Sequence, residues 1–316
     1  MSIKLKFKKA QELIDKSQTV FLTTHEGTDG DDLGSLLATF FYLKRLGKDP
    51  VARIKGGVPA NLSFLPGVLE VGEQFDNTAA DLLITFGCNK LERTGQKILA
   101  AFRSPIINFD HHPDNTDFGS VNVVDPDTAA VAELVYYFLH SQEAEIDQKM
   151  ATCLLTGIFT DTGGFKHANT SAKALEAAAE LLKRGARIDK IALQTMGKKR
   201  PSTIKAWSRG LENARFDSDK KMVFSVMTEE DLREIGATDE DLDGFVELLN
   251  NMPQSKFALL LRQDGEVVKG SLRSEPHKKV DVSKIAKSFG GGGHKLAAGF
   301  KIKGKLKRSD NAWQIE

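Results

Sequence analysis

Residues 20–32 read VFLTTHEGTDGDD, an apolar run short enough to be a buried strand that ends at His25, with Asp29 and Asp31 following in a turn that contains Gly27 and Gly30. A second run, IINFDHHPD at residues 106–114, ends at Asp110, His111 and His112. A third, DLLITFGCN at residues 81–89, stops instead at Gly87-Cys88-Asn89. Helical patterns fill the intervals, LGSLLATFFYLKRL at Leu33–Leu46 and AAVAELVYYFLH at Ala129–His140. Short continuous apolar strands alternating with helices are what a parallel sheet covered on both faces produces. Its strands are expected at Thr19–Thr24, Val51–Ile54, Leu82–Phe86, Ile106–Phe109 and Val121–Val124. In such a sheet ligands gather beyond the carboxyl ends of the strands, where the loops converge.

The chain of 316 residues is long enough for about two domains. With 41% hydrophobic and 28% charged residues it has the composition of a soluble globular protein. A net charge of +1 carries no polybasic signature for tracking long nucleic acids, yet leaves room for a short anionic ligand in a local pocket. Two cysteines, Cys88 and Cys153, are too few for a disulfide framework. No segment approaches the roughly 18 apolar residues of a membrane span, and MSIKLKFKKAQELIDKS lacks the apolar core of a signal peptide. Read as a helix it puts Leu5, Ala10, Leu13 and Ile14 on one docking face, and a cytoplasmic location is the default.

Two more helices follow in EAEIDQKMATCLLTGIFTDTGGF and SAKALEAAAELLKRG, the latter with Gly185 as C-cap. The pattern breaks around QTMGKKRP at Gln194–Pro201. The expected division is a first domain at 1–193, a linker at 194–210 and a second α/β domain at 211–316, facing the first across a cleft. The second domain should hold strands at Val223–Met227, Phe257–Arg262 and Val267–Arg273, helices near Glu229–Ile235, Leu242–Asn250 and Val282–Ser288, and a last strand ending about Lys303.

Each chemical stretch has a bland reading when taken alone: a solvated Asp-Gly turn, a surface His pair, a helix C-terminus at Asp161, a flexible glycine connector. Together they form a mixed His/Asp set, which suits Mn²⁺ or a similar divalent ion better than structural zinc, usually bound through cysteine. Two such ions could activate a water and clamp a phosphoryl group. Asp110 could hold a histidine tautomer from behind. The loop SFGGGGHKLAAGF, with Gly290–Gly293 and His294, leaves backbone N–H groups unobstructed and could nest a phosphate. Ser271, Arg273 and Ser274 of GSLRS could bind the same anion.

In these four stretches, taken in order, the chain resembles the DHH phosphoesterases, and most closely the bifunctional oligoribonuclease/pAp phosphatases among them. The resemblance implies an N-terminal DHH domain with a parallel sheet and a smaller C-terminal DHH-associated domain. It implies Mn²⁺-dependent hydrolysis of short oligonucleotides or of 3′-phosphoadenosine 5′-phosphate (pAp), with no membrane partner and no tracking of long nucleic acid. A homodimer is one assembly it leaves open. Carried over by position, His25 and Asp29 would bind one metal and Asp31, His111 and Asp161 the other. His112, with His111 and Asp110, would form the catalytic group, His112 touching the scissile phosphate. Arg273, Ser274, Gly290, Gly291, Gly292, Gly293 and His294 would hold the substrate's far end.

One position departs from that pattern. Members of the family usually carry a metal-bridging aspartate after the third strand, and here it falls on Gly87, although Cys88, Leu91, Glu92, Arg93 and Gly95 keep the surrounding pattern. Asp81 is about 20 Å away along the strand, Asn89 is neutral, and a Cys88 thiolate prefers softer metals. The sequence therefore predicts either an enzyme impaired at its metal bridge or a nucleotide-binding protein without turnover.

Overall fold

Helix α1 (Ile3–Lys16) buries Phe7, Ala10 and Ile14, the spacing of one helical face. The expected Leu5 is off that stripe and lies 43% exposed. The computed structural model describes residues 2–73, 80–197, 200–309 and 312–316. After α1 come β1 (Thr19–Thr24), α2 (Gly30–Arg45), β2 (Asp49–Arg53), the short β3 (Val71–Gly72), β4 (Leu82–Phe86), β5 (Ile106–Asp110) and β6 (Val121–Val124). Helices α3 (Val131–Ser141), α4 (Gln148–Asp161), α5 (Ala172–Lys183) and α6 (Ile188–Ala192) complete this half. Gly185 takes φ +92°, as a glycine just past a helix end does.

The six strands run in the order β3-β2-β1-β4-β5-β6, each pair parallel. The chain winds outward from β1 to β3 and then crosses back to β4, so the strand order reverses between β1 and β4. A crevice opens at such a switch point, beyond the carboxyl ends of the strands. Phe86 stacks on Phe109 at 5.8 Å between ring centres, and Phe109 meets Phe138 of α3 at 5.4 Å. These buried rings fix the level of the strand ends.

Glycines set how closely α2 and α4 approach. A Cβ on Gly30 would lie 2.5 Å from Thr160 Oγ1, one on Gly34 would overlap the Cys153 carbonyl oxygen, and one on Gly157 would lie 2.9 Å from Asp31 Oδ1. The close pairing holds Asp31, in the first turn of α2, beside Asp161 at the end of α4. Gly34→Ala should separate the helices. Overpacking of about 1–3 kcal/mol outweighs the roughly 1 kcal/mol that alanine adds to a helix. A lower denaturation midpoint is expected, and an unchanged midpoint would show that the contact yields.

The second compact unit begins at Lys199, the first ending at Lys198. It contains α7 (Pro201–Asn213), β7 (Arg215–Asp217), β8 (Met222–Met227), α8 (Glu229–Ile235), α9 (Phe245–Asn250), β9 (Phe257–Asp264), β10 (Val267–Arg273), α10 (Val282–Ser288), β11 (Gly292–Gly293), β12 (Ala297–Lys303) and the hairpin β13 (Leu306–Ser309)–β14 (Ala312–Ile315). The expected linker at 194–210 is therefore mostly helix. Pro201 starts α7, which buries Thr203, Ala206 and Gly210, and Ala206 packs with Phe245 and Leu260 in this unit's core. The six-stranded sheet has the order β11-β12-β10-β9-β8-β7 and is antiparallel except for β8 with β9. Among the described residues, no helix is long and apolar enough to cross a membrane.

Candidate metal centre

The carboxyl ends of β1, β4 and β5 lie side by side, since Thr24 pairs with Phe86 and Phe86 with Phe109. His25, Gly87 and Asp110 are consequently neighbours at the switch point. Asp29 caps α2, its Oδ1 accepting from the N–H groups of Asp31 (2.9 Å) and Asp32 (3.1 Å). That cap, together with the positive end of the helix, holds three aspartates within four residues. Successive helical residues diverge by about 100°, so Asp31 and Asp32 serve different neighbours. Asp31 accepts from Val131 N (2.7 Å) and Ala132 N (2.8 Å) at the start of α3. Asp32 instead meets His25 Nε2 at 2.7 Å.

Two groups of potential ligand atoms result, His25–Asp29–Asp32 and Asp31–His111–Asp161, each with its atoms within 4.8 Å of one another. The predicted set His25, Asp29, Asp31, His111 and Asp161 is thus brought together. Asp32 was missed, because next to Asp31 it reads as one more charge in a helix's first turn.

The charges in this centre strain against one another. Burial pushes the Asp31 carboxyl well above its ordinary range, and Asp161, Asp32 and Asp29 push it further. Burial raises Asp161 too, partly offset by His111. Desolvation raises the Asp29 carboxyl to about 6, with Asp32 adding to the effect, although the residue as a whole is exposed. Burial works to lower His25, but the hydrogen bond and charge of Asp32 prevail and lift it to about 9. Three carboxylates whose ionisation is disfavoured in this way, Asp29, Asp31 and Asp161, are suited to divalent cations, which would replace the protons and relieve the repulsion. Oxygen and imidazole donors without a thiol fit Mn²⁺-like ions, and Cys88 is held as a thiol by burial.

Beside the triads, Asp110 is fully buried. Its Oδ1 accepts from His112 Nδ1 at 2.6 Å and from His111 N at 2.8 Å, and Asn115 Nδ2 donates to its Oδ2. Burial opposes ionisation here, yet these bonds hold Asp110 below the usual carboxylate range. In return the Asp110 bond raises His112 against its own burial. The ring that Asp110 orients is His112. His111 Nδ1 lies 3.3 Å from Thr128 O, and its Nε2 is 3.9 Å from Asp161 Oδ2. A cavity of about 320 Å³ adjoins Asp29, lined by Thr28, Asn61, Leu62, Thr160 and Met196 among others.

The substrate end expected in the C-terminal unit needs correction. Ser274 is buried and its hydroxyl donates its only proton to Lys256 O at 2.8 Å, so it has none for an anion. The glycine loop is not an open nest. The N–H groups of Gly290, Gly291 and His294 donate to Lys287, Ala286 and Ala297 carbonyls. Side chains at 291 or 293 would collide with β12, a Cβ on Gly293 lying 2.6 Å from Ala298 Cα, while Gly292 alone of the four besides Gly290 has clear space. Close packing of β11 on β12 accounts for the glycines at 291 and 293. Arg273 pairs with Ala297 across the sheet, the residue whose carbonyl takes the His294 N–H, so both side chains belong to one end of it. Arg273 Nε is engaged by Glu247 at 2.6 Å.

Comparison with known proteins agrees with this geometry. Residues 19–158 match the DHH family, N-terminal domain, and residues 219–313 the DHHA1 domain. The chain is 33% identical over 286 residues to the bifunctional oligoribonuclease and PAP phosphatase NrnA of Thermus thermophilus, covering 90% of this chain and 84% of that one. It is 24% identical to the Bacillus subtilis protein of the same name, covering 90% and 89%. An exopolyphosphatase-related protein from Bacteroides fragilis superposes with a TM-score of 0.90 at 25% identity, covering 95% of this chain and 92% of that one. The chain belongs to the DHH phosphoesterase family and carries both the DHH and the DHHA1 domain.

Proposed function

We propose that this protein is a Mn²⁺-dependent phosphohydrolase of short oligonucleotides and of pAp. The observation that carries the reading is the pair of His/Asp triads at the sheet's switch point, with the Asp110–His112 pair beside them. Divalent cations bound by the triads would activate a water and neutralise charge gathering on the phosphoryl oxygens. The relatives named for oligoribonuclease and PAP phosphatase activity support the substrate class. Asp110 holds the His112 ring through Nδ1 and so sets how it is presented to a substrate. Raised in pKa, that imidazole is suited to giving a proton to the leaving oxygen. The cavity beside Asp29 has room for a nucleoside, and Arg273 and His294 are the groups proposed for a terminal phosphate.

Impairment was expected because Gly87 left the site one carboxylate short. With Asp32 the centre holds Asp29, Asp31, Asp32 and Asp161, and we expect turnover. Incubation with Mn²⁺ and a dinucleotide or pAp should release mononucleotides or inorganic phosphate. Failure on both substrates would refute the reading.

Proton competition gives a second test. Cation binding must displace the proton that His25 keeps to about 9 and the one that Asp29 keeps to about 6. Mn²⁺ affinity should therefore climb as pH rises from 5 toward 9, by up to about tenfold per pH unit for each proton released. Titration calorimetry in buffers of different ionisation enthalpy would count the protons. An affinity flat with pH would contradict this ligand set.

A further inference from the structure

We infer that Asp32 is the carboxylate shared between the two ligand triads, and that residue 87 is glycine because Asp32 fills the space its side chain would need. The inference rests on the two-cation reading above and adds to it the identity of the bridge.

Geometry carries it. A Cβ built on Gly87 would lie 2.5 Å from Asp32 Oδ2 and closer still to its Cγ and Oδ1. No real Cβ tolerates such contact, and the backbone cannot withdraw easily, because Gly87 N donates to Phe109 O at 2.9 Å between β4 and β5. A side chain here would also be strained by the φ of +61°. A carboxylate already stands over residue 87, reached from α2 rather than from β4. The three other candidates are turned elsewhere. Cys88 Sγ contacts Phe86 O at 3.5 Å, and Asn89 Nδ2 donates to Asp114 at 2.9 Å. Asp81 spends its carboxylate on the N–H groups of Gln18 and Thr19.

Asp32 also has the position of a shared ligand. It contacts His25 of the first triad directly, lies against the end of β4, and is the helical neighbour of Asp31 of the second triad. The three atoms nearest a Cβ on Gly87, at the end of β4, all belong to Asp32. Asp32 and Gly87 thus form one structural unit, and a carboxylate can stand on either residue but not on both.

The experiment exchanges the carboxylate. Mn²⁺ stoichiometry and affinity would be measured by electron paramagnetic resonance of free Mn²⁺, alongside thermal unfolding of metal-free protein. The set is wild type, Asp32→Asn, Asp32→Ala, Gly87→Asp and the double variant Asp32→Ala/Gly87→Asp. Wild type should hold two ions. Asp32→Asn, nearly isosteric, should bind the second ion more than about tenfold more weakly, and Asp32→Ala should hold one. Gly87→Asp should melt lower without gaining affinity, and the double variant should regain two ions. Two ions at wild-type affinity in Asp32→Asn would overturn the inference. So would a Gly87→Asp protein with an unshifted metal-free melting point, because the space would then be free. Wild type that holds no Mn²⁺ would instead sink the hydrolase reading itself.

Discussion

Asp31→Ala should lower kcat/KM on a dinucleotide by more than about 100-fold, beyond what losing a group behind the ligands costs, with only a small change in metal-free stability. The two outcomes separate because Asp31 has two tasks. As a member of the Asp31–His111–Asp161 triad it would hold a cation directly. As the acceptor for Val131 N and Ala132 N it satisfies the start of α3, and buried donors left without a partner cost about 1–3 kcal/mol. Against that cost stands the burial of an unwelcome charge among Asp161, Asp32 and Asp29, which alanine removes. Activity, Mn²⁺ stoichiometry and the metal-free unfolding midpoint should be read on the same preparation. Retained activity would remove Asp31 from the centre, and collapse of the metal-free protein would show that its role is mainly to cap α3.

What could be read from the sequence was what lies close along the chain. The five main strands of the parallel sheet and the helices after them follow from local pattern, whereas His25, Asp29, Asp31, His111 and Asp161, each ambiguous by itself, are named as ligands through the resemblance of their stretches to the DHH family. The tasks of Asp32 and Gly87 could not be read that way. Helical geometry turns Asp31 toward residues 131 and 132 and Asp32 toward residue 87, and nothing in GDD records which goes where. The glycine loop misled for a related reason. A glycine that frees an N–H and one that admits a neighbouring strand look alike in sequence, and Gly291 and Gly293 are of the second kind. The helix at Pro201–Asn213 did leave a sign, a proline in its first turn ahead of Thr203, Ala206 and Gly210, but it fell in a stretch read as a break.

His112→Ala should reduce kcat by about 10²- to 10⁴-fold, the range for losing a positioned acid or base, and leave Mn²⁺ stoichiometry at the wild-type value. The split follows from where the ring stands. His112 belongs to neither ligand triad, and its Nδ1 bond to Asp110 at 2.6 Å orients the ring. The same bond raises His112 and lowers Asp110, so the protonated ring should persist above the usual histidine range. On the basic side, kcat should fall as pH rises through the raised His112 value, where the proton for the leaving oxygen is lost. Asp110→Asn cannot accept as a charge and should move that limb to lower pH, with about a 10- to 100-fold loss of rate. A substrate whose leaving group needs no proton, such as a p-nitrophenyl phosphodiester, should suffer much less from either change. Equal losses on both substrates would assign His112 to holding the phosphate, and a lost Mn²⁺ ion in His112→Ala would move it into the metal centre.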